Sequence, residues 1–177
     1  DETFSVTLST PETSGAVLGA NKIGTATVQN DDSATASIAN VTQNEGNSGT
    51  TNFDFTVTLD KAAPTDVTIP WTFANVTSTD SDFGAGLTKT GSVTIPAGQT
   101  SAKITPSFPV NGDTTVEANE TFTVTLGSPS NSSVVLSQSA KVGTGTITND
   151  DSATLTIANA KQFEPNTGTS KITFDVT

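Results

Sequence analysis

Apolar and polar residues alternate along much of the chain. Phe53, Phe55, Val57 and Leu59 are separated by Asp54, Thr56 and Thr58. The same period of two runs through Val67, Ile69, Trp71 and Phe73, and through Phe122, Val124 and Leu126. Successive side chains of a strand point to opposite faces, so this alternation marks half-buried strands. It predicts strands near 34–39, 53–59, 67–73, 91–95, 101–108, 121–126 and 143–148. Pro70 lacks an N–H, which predicts that its strand is an edge or is bulged. Turns are signalled by Ala63-Pro64, by Pro96-Ala97-Gly98 and by Asn111-Gly112-Asp113. No segment carries a helical period. Several short strands with regular turn signals predict an all-β, two-sheet sandwich.

The chain also repeats itself. DETFSVTL from Asp1 matches NETFTVTL from Asn119, and VQNDDSATASIAN from Val28 matches ITNDDSATLTIAN from Ile147. QNEGNSGT from Gln43 then matches QFEPNTGT from Gln162. The offset is 118 residues in the first match and 119 in the later two. A period of that length is too long for a solenoid unit and suits a row of domains with separate cores. The expected organisation is a tandem array out of frame. Residues 1–32 are the C-terminal part of one repeat, 33–151 a complete repeat, and 152–177 the N-terminal part of a third. The joins at Asp32-Ser33 and Asp151-Ser152 carry no Gly/Ser or Pro-rich spacer, so neighbouring domains are expected to sit close together.

Composition narrows the chemistry. The 177 residues include no His, Cys, Met, Tyr or Arg, and the formal net charge is −11. About a fifth of the residues are threonine, a strand former, so a modest apolar content of 32% does not imply disorder. Without His or Cys there is no Ser-His-Asp or Cys-His catalysis and no ordinary zinc site. Strong acidity without Arg argues against nucleic acid or an anionic membrane as partner. No run is long and apolar enough to span a bilayer, and no stretch of these residues reads as a signal peptide. The lack of Met at residue 1 is expected of a fragment or a processed chain. The absence of Cys is compatible with a bacterial extracellular protein cross-linked in another way.

The acids then become informative. The complete repeat holds eleven, and six of them fall in three clusters at strand ends or in loops. Glu45 follows the first strand; Asp113, Glu117 and Glu120 precede the strand at 121–126; Asp150 and Asp151 follow the last strand. Loops of a sandwich gather at its two ends, so the three clusters are expected to meet at one pole. Carboxylates brought together repel unless they are protonated or bridged by a cation. Hard oxygen ligands in a flexible, multidentate arrangement suit Ca²⁺. Loop acids are more often simply solvated, but the pair Asp150-Asp151 recurs as Asp31-Asp32 at the same point of the preceding repeat.

At these residues the chain resembles a known family. GSVTIPAGQTSAKITPSFPVNGDTTVEANETFTVTL followed by GTGTITNDD is similar to the second half of a Calx-beta domain. The resemblance covers 33–151 and both flanking pieces. It implies a seven-stranded Greek-key, immunoglobulin-like sandwich, in some members binding several Ca²⁺ ions at the end facing the next domain. It implies that Glu45, Asp113, Glu117, Glu120, Asp150 and Asp151 are the metal ligands. Glu2, Asp31 and Asp32 would belong to the first repeat's pole. Glu164 would belong to the third repeat, with its partner acids beyond this chain. Three departures stand out. A longer Asp run is reduced to Gly112-Asp113, Asn149 takes the place of a third terminal aspartate, and Asn75 stands near an expected aspartate. Fewer charges mean fewer or weaker sites, for which Asp80 and Asp82 are candidate replacements.

The expected function is a structural or adhesive module of a secreted or cell-surface repeat protein, outside the class of enzymes. Ca²⁺ at each pole would fix the angle between neighbouring repeats of the chain and stiffen a filament or stalk. Other chains or a surface ligand are further candidate partners, and the alternative is a ligand-binding adhesin or calcium-sensing module. Trp71, Phe73 and Phe83 are read as core in preference to a sugar platform. Paired carboxylates also serve glycosidases, but nothing in the sequence indicates a substrate cleft. Matches to the N-glycosylation pattern, such as Asn75-Val76-Thr77, arise easily in so Thr- and Asn-rich a chain.

Overall fold

The structure is a computed structural model that describes residues 2–12, 15–29 and 31–177. The strands, in chain order, are β1 Glu2–Thr7, β2 Ile23–Val28, β3 Ala34–Ile38, β4 Val41–Asn44, β5 Thr50–Phe53, β6 Thr56–Leu59 and β7 Val67–Asn75. They continue as β8 Thr90–Ile95, β9 Ser101–Lys103, β10 Phe108–Asn111, β11 Glu120–Leu126, β12 Val134–Leu136 and β13 Val142–Thr148. One short 3-10 turn, Asp80–Asp82, lies between β7 and β8. The fold is all-β.

Residues 34–147 form a two-sheet sandwich around one core. A five-stranded sheet runs β4-β13-β11-β7-β8, and a four-stranded sheet runs β12-β3-β6-β9. The alternating apolar residues fill the space between them. Phe53, Phe55, Val57, Val67, Ile69, Phe122 and Val124 are fully buried. Six phenylalanines and Trp71 form an aromatic centre in which Phe122 meets Phe53 edge-on at 5.5 Å and Phe55 edge-on at 5.8 Å. Trp71, Phe73 and Phe83 belong to this core, as the alternation predicts. Gly145 makes room for it: a Cβ there would fall 2.3 Å from the Phe122 ring.

Several strands switch sheets, as sandwich corners require. β3 pairs antiparallel with β6, and the chain then passes through Ala39-Asn40 so that β4 pairs parallel with β13. The predicted strand 53–59 is two strands, β5 on β10 and β6 on β9, divided at Asp54-Phe55. The predicted strand 101–108 is likewise divided into β9 and β10. Pro70 differs from expectation, because β7 is interior, between β11 and β8. The Phe73 N–H donates to Lys89 beside β8, and the Thr68 N–H donates to the Ser130 hydroxyl on the other side. The Pro70 nitrogen shares the Thr68 side, where β11 has ended at its Leu126–Trp71 pair. The missing N–H therefore takes nothing from the ladder.

The flanking pieces repeat parts of this pattern. β1 pairs with β2 as β11 pairs with β13: Phe4 opposes Ala26 as Phe122 opposes Gly145, and Glu2 opposes Val28 as Glu120 opposes Ile147. At the other end, Ile157 bridges Val176 as Ile38 pairs with Val57.

Candidate metal centre at one pole of the sandwich

β4 runs out of the sandwich at Asn44, and β13 beside it ends at Thr148. Parallel pairing therefore brings the residues that follow both strands to one place. Glu45 comes from the first, and Asp150 and Asp151 from the second. One carboxylate oxygen of each lies within 4.8 Å of the others. The Glu45 N–H donates to the Thr148 carbonyl at 3.2 Å, which fixes where its side chain starts. The Gly46 N–H donates to Asp150 Oδ1 at 3.2 Å, and the Asn47 amide donates to Asp151 Oδ1 at 2.9 Å.

The loop between β10 and β11 adds the remaining acids. Gly112 sits against the Glu45-Gly46 backbone so closely that a Cβ would fall 2.2 Å from the Gly46 carbonyl oxygen. Asp113 follows it and accepts the Thr115 N–H at 2.6 Å, which holds its carboxyl below the usual range. The Glu117 N–H is held at 3.1 Å by the Asn149 side chain, next to Asp150 in sequence. Asn149 thus joins the two loops, where a third aspartate was the expected family residue.

Electrostatics tie the cluster together. Glu45 is only 7% exposed, and no hydrogen-bond donor meets its carboxylate among the described residues. Burial pushes its carboxyl up, and the charges of Glu117, Asp113, Asp151 and Asp150 push it further. Glu120 is pushed up to about 7 by burial first, then by a hydrogen bond to Asp82 and by the charges of Asp82, Glu117 and Glu45. Asp151 is raised by desolvation and by Asp150 and Asp113. Its Oδ2 atom is buried without a hydrogen-bond partner.

Six of the expected ligands thus share one neighbourhood, and Asp82 joins them. Asp82 also accepts the Thr79 N–H, which anchors its turn at the pole. The sequence carried it only as a possible replacement, because nothing in a loop of that length indicates where a carboxylate will land. Asp80 does not join. Lys89 donates to both of its oxygens, at 2.7 and 2.6 Å, and Asn75 donates to it at 2.8 Å. Asn75 is therefore engaged in holding the loop. Glu2, Asp31 and Asp32 lie at the opposite pole, where they line a cleft of about 810 Å³ with Lys61, Ala63 and Pro64. Lys61 donates to Asp32 at 3.3 Å across the join. Glu164 is exposed near the other end of the chain.

The donor set fits a hard divalent cation. It is all oxygen, comes from three loops, and includes a buried carboxylate and an orphaned carboxylate oxygen that no lysine among the described residues pairs with. Zinc preferences are not met, since no nitrogen or sulfur ligand is present.

No protein-family model and no curated protein matches the chain. Solved structures do. The apo form of the Calx CBD1 domain superposes with a TM-score of 0.56 at 21% identity, over 68% of this chain and 100% of that one. The Calx CBD2 domain gives 0.55 at 13% identity, over 69% of this chain and 91% of that one. The calcium binding domain CBD12 of CALX1.1 gives 0.54 at 20% identity, over 70% of this chain and 50% of that one. At these identities the likeness is one of fold: the chain has the β-sandwich of the Calx CBD domains.

Proposed function

We propose that residues 33–151 are a calcium-binding β-sandwich module of a tandem array, with Ca²⁺ held at the pole by Glu45, Asp113, Glu117, Glu120, Asp150 and Asp151. The observation that carries this reading is the buried, donor-free Glu45 carboxylate facing Asp150 and Asp151. A like-charged cluster of this kind costs free energy in the metal-free state, and a divalent cation removes that cost. The fold shared with the calcium binding domain CBD12 of CALX1.1 supports the same reading.

The module's role is mechanical. Asp151 is both a ligand and the last residue before the next repeat, so a bound ion holds the chain where it leaves the sandwich. Occupied poles would set the angle between neighbouring repeats and stiffen a stalk or filament of a secreted or cell-surface protein. The short joins and the matching strand registers of the flanking pieces support a tandem array. A calcium-sensing or ligand-binding adhesin is the competing role.

Thermal unfolding and small-angle scattering with calcium and with chelator test the proposal. Calcium is expected to raise the midpoint, by about 2.7 kcal/mol of stability at a hundredfold excess over Kd, and to narrow the distribution of shapes. Identical midpoints and identical scattering would reject it. A raised midpoint with unchanged shape would favour the sensing role.

A further inference from the structure

Two asparagine amides hold Asp151. The Asn47 side chain donates to its Oδ1 at 2.9 Å, and the Asn149 side chain donates to its main-chain carbonyl at 2.9 Å. Its Oδ2 is left buried and without a donor. Asn149 makes two further bonds. Its Oδ1 accepts the Glu117 N–H at 3.1 Å, and its own main-chain N–H donates to Asn119 Oδ1 at 3.0 Å. One side chain therefore grips the β10–β11 loop with its oxygen and the exit of the chain with its nitrogen.

We propose that Asn149, assisted by Asn47, is the positioning residue of the metal pole. It presents Asp151 Oδ2 to the ion and fixes the direction of the chain where Asp151 leads into Ser152, so that binding at the pole and order at the join are coupled. Neither asparagine touches the ion. Both hold Asp151 in place before the ion arrives, which spares the cost of ordering it on binding. The ligand role of Asp151 rests on the proposed function; the hold on the exit of the chain does not.

The role requires an amide. An ionised carboxylate accepts hydrogen bonds and donates none. Aspartate at position 149 could still accept the Glu117 N–H, but it would meet the Asp151 carbonyl oxygen with a second oxygen and push the exit away. Asparagine serves both partners and adds no charge to carboxylates that already repel one another. The internal repeat divides the roles in the same way. Asn149 is matched by Asn30 and Asn47 by Asn166, so both donors to Asp151 recur. Asn119 is matched by Asp1. Towards Asn149 it acts only as an acceptor, a task that aspartate performs equally well.

Asn149→Ala and Asn149→Asp variants of the 177-residue chain test the proposal at neutral pH. Calcium affinity is read by calorimetry, the calcium-induced rise of the thermal midpoint by melting, and order at the join by relaxation of the Asp151 and Ser152 amides. Asn149→Ala is expected to bind calcium about tenfold more weakly, although no ligand is removed, and its calcium-induced rise shrinks accordingly. A loss of fold stability alone would lower both midpoints and leave that rise unchanged; this outcome would overturn the proposal. Asn149→Asp keeps the acceptor for Glu117 and adds a charge, so it binds calcium. Its Asp151 and Ser152 amides are nevertheless expected to stay mobile in saturating calcium, where those of the parent become ordered. An aspartate variant whose exit orders like the parent's would overturn the proposal. A parent that binds no calcium would reject the proposed function instead. The hold on the exit is then judged on the metal-free chains: a more mobile exit in Asn149→Asp than in the parent sustains it, and equal mobility overturns it.

Discussion

Glu45 holds the key position at the residue scale, because it is buried without a donor and surrounded by like charge. Glu45→Gln keeps the shape and removes the charge. It is expected to weaken calcium binding at least tenfold, about 1.4 kcal/mol, yet to raise the thermal midpoint in chelator; a lowered midpoint in chelator would contradict the electrostatic account. The same repulsion sets the pH dependence. Glu45, Glu120 and Asp151 titrate above their ordinary values when folded, so in that interval the folded chain binds more protons than the unfolded one. Metal-free stability therefore falls as pH rises, for Glu120 between 4.5 and about 7. Asp54, Asp80 and Asp113 are held below 3.8, and the stability they contribute is lost as acid titrates them. The metal-free midpoint is expected to peak at mildly acidic pH; a steady rise towards neutrality would contradict this. Gly112 is the steric counterpart of Glu45. An alanine Cβ there meets backbone, which cannot swing aside as a side chain would. Gly112→Ala is expected to cost about 1–3 kcal/mol and to weaken calcium binding, as read by denaturant melts and calorimetry.

At the scale of elements, the alternation located the buried residues better than the strand boundaries. Phe53, Phe55 and Val57 all face the core, although the chain changes sheets between Phe53 and Thr56. A residue pointing into the space between two sheets looks the same in sequence whichever sheet it belongs to, so the corner left no mark on the pattern. β4 and β12 were missed for a related reason: both are short edge strands with few buried positions. The β7–β8 loop was legible in part. Its acids were visible, but their division was not, since it depends on Lys89 reaching back across the loop to Asp80. That division makes a prediction. Asp80→Asn is expected to leave calcium affinity unchanged, because Asp80 is engaged with Lys89 and Asn75. Asp82→Asn is expected to return the Glu120 carboxyl from about 7 towards 4.5, as followed by carboxyl NMR. A Glu120 titration that ignored Asp82 would show that burial alone holds it high.

Across the whole molecule, strand direction decides where charge collects. β3 and β4 carry the chain from the join at Asp32 to the opposite pole at Glu45, and β13 returns there to leave Asp150 and Asp151 beside it. The repeat in sequence already implied that each module's exit acids lie beside the next module's entry. Long-range convergence of Asp113, Glu117 and Asp82 on that pole needed the three-dimensional fold. The net charge of −11 gives the whole chain an excess of acid, and among the described residues this pole concentrates it around a buried carboxylate. Calorimetric titration of the metal-free chain with calcium at neutral pH, beside its Asp150→Asn variant, tests that claim most directly. The account predicts saturable binding to the parent, with release of the proton that Glu120 retains near neutrality, and a marked loss of affinity in the variant. Absence of saturable binding at millimolar calcium, or equal affinity in the two proteins, would contradict it.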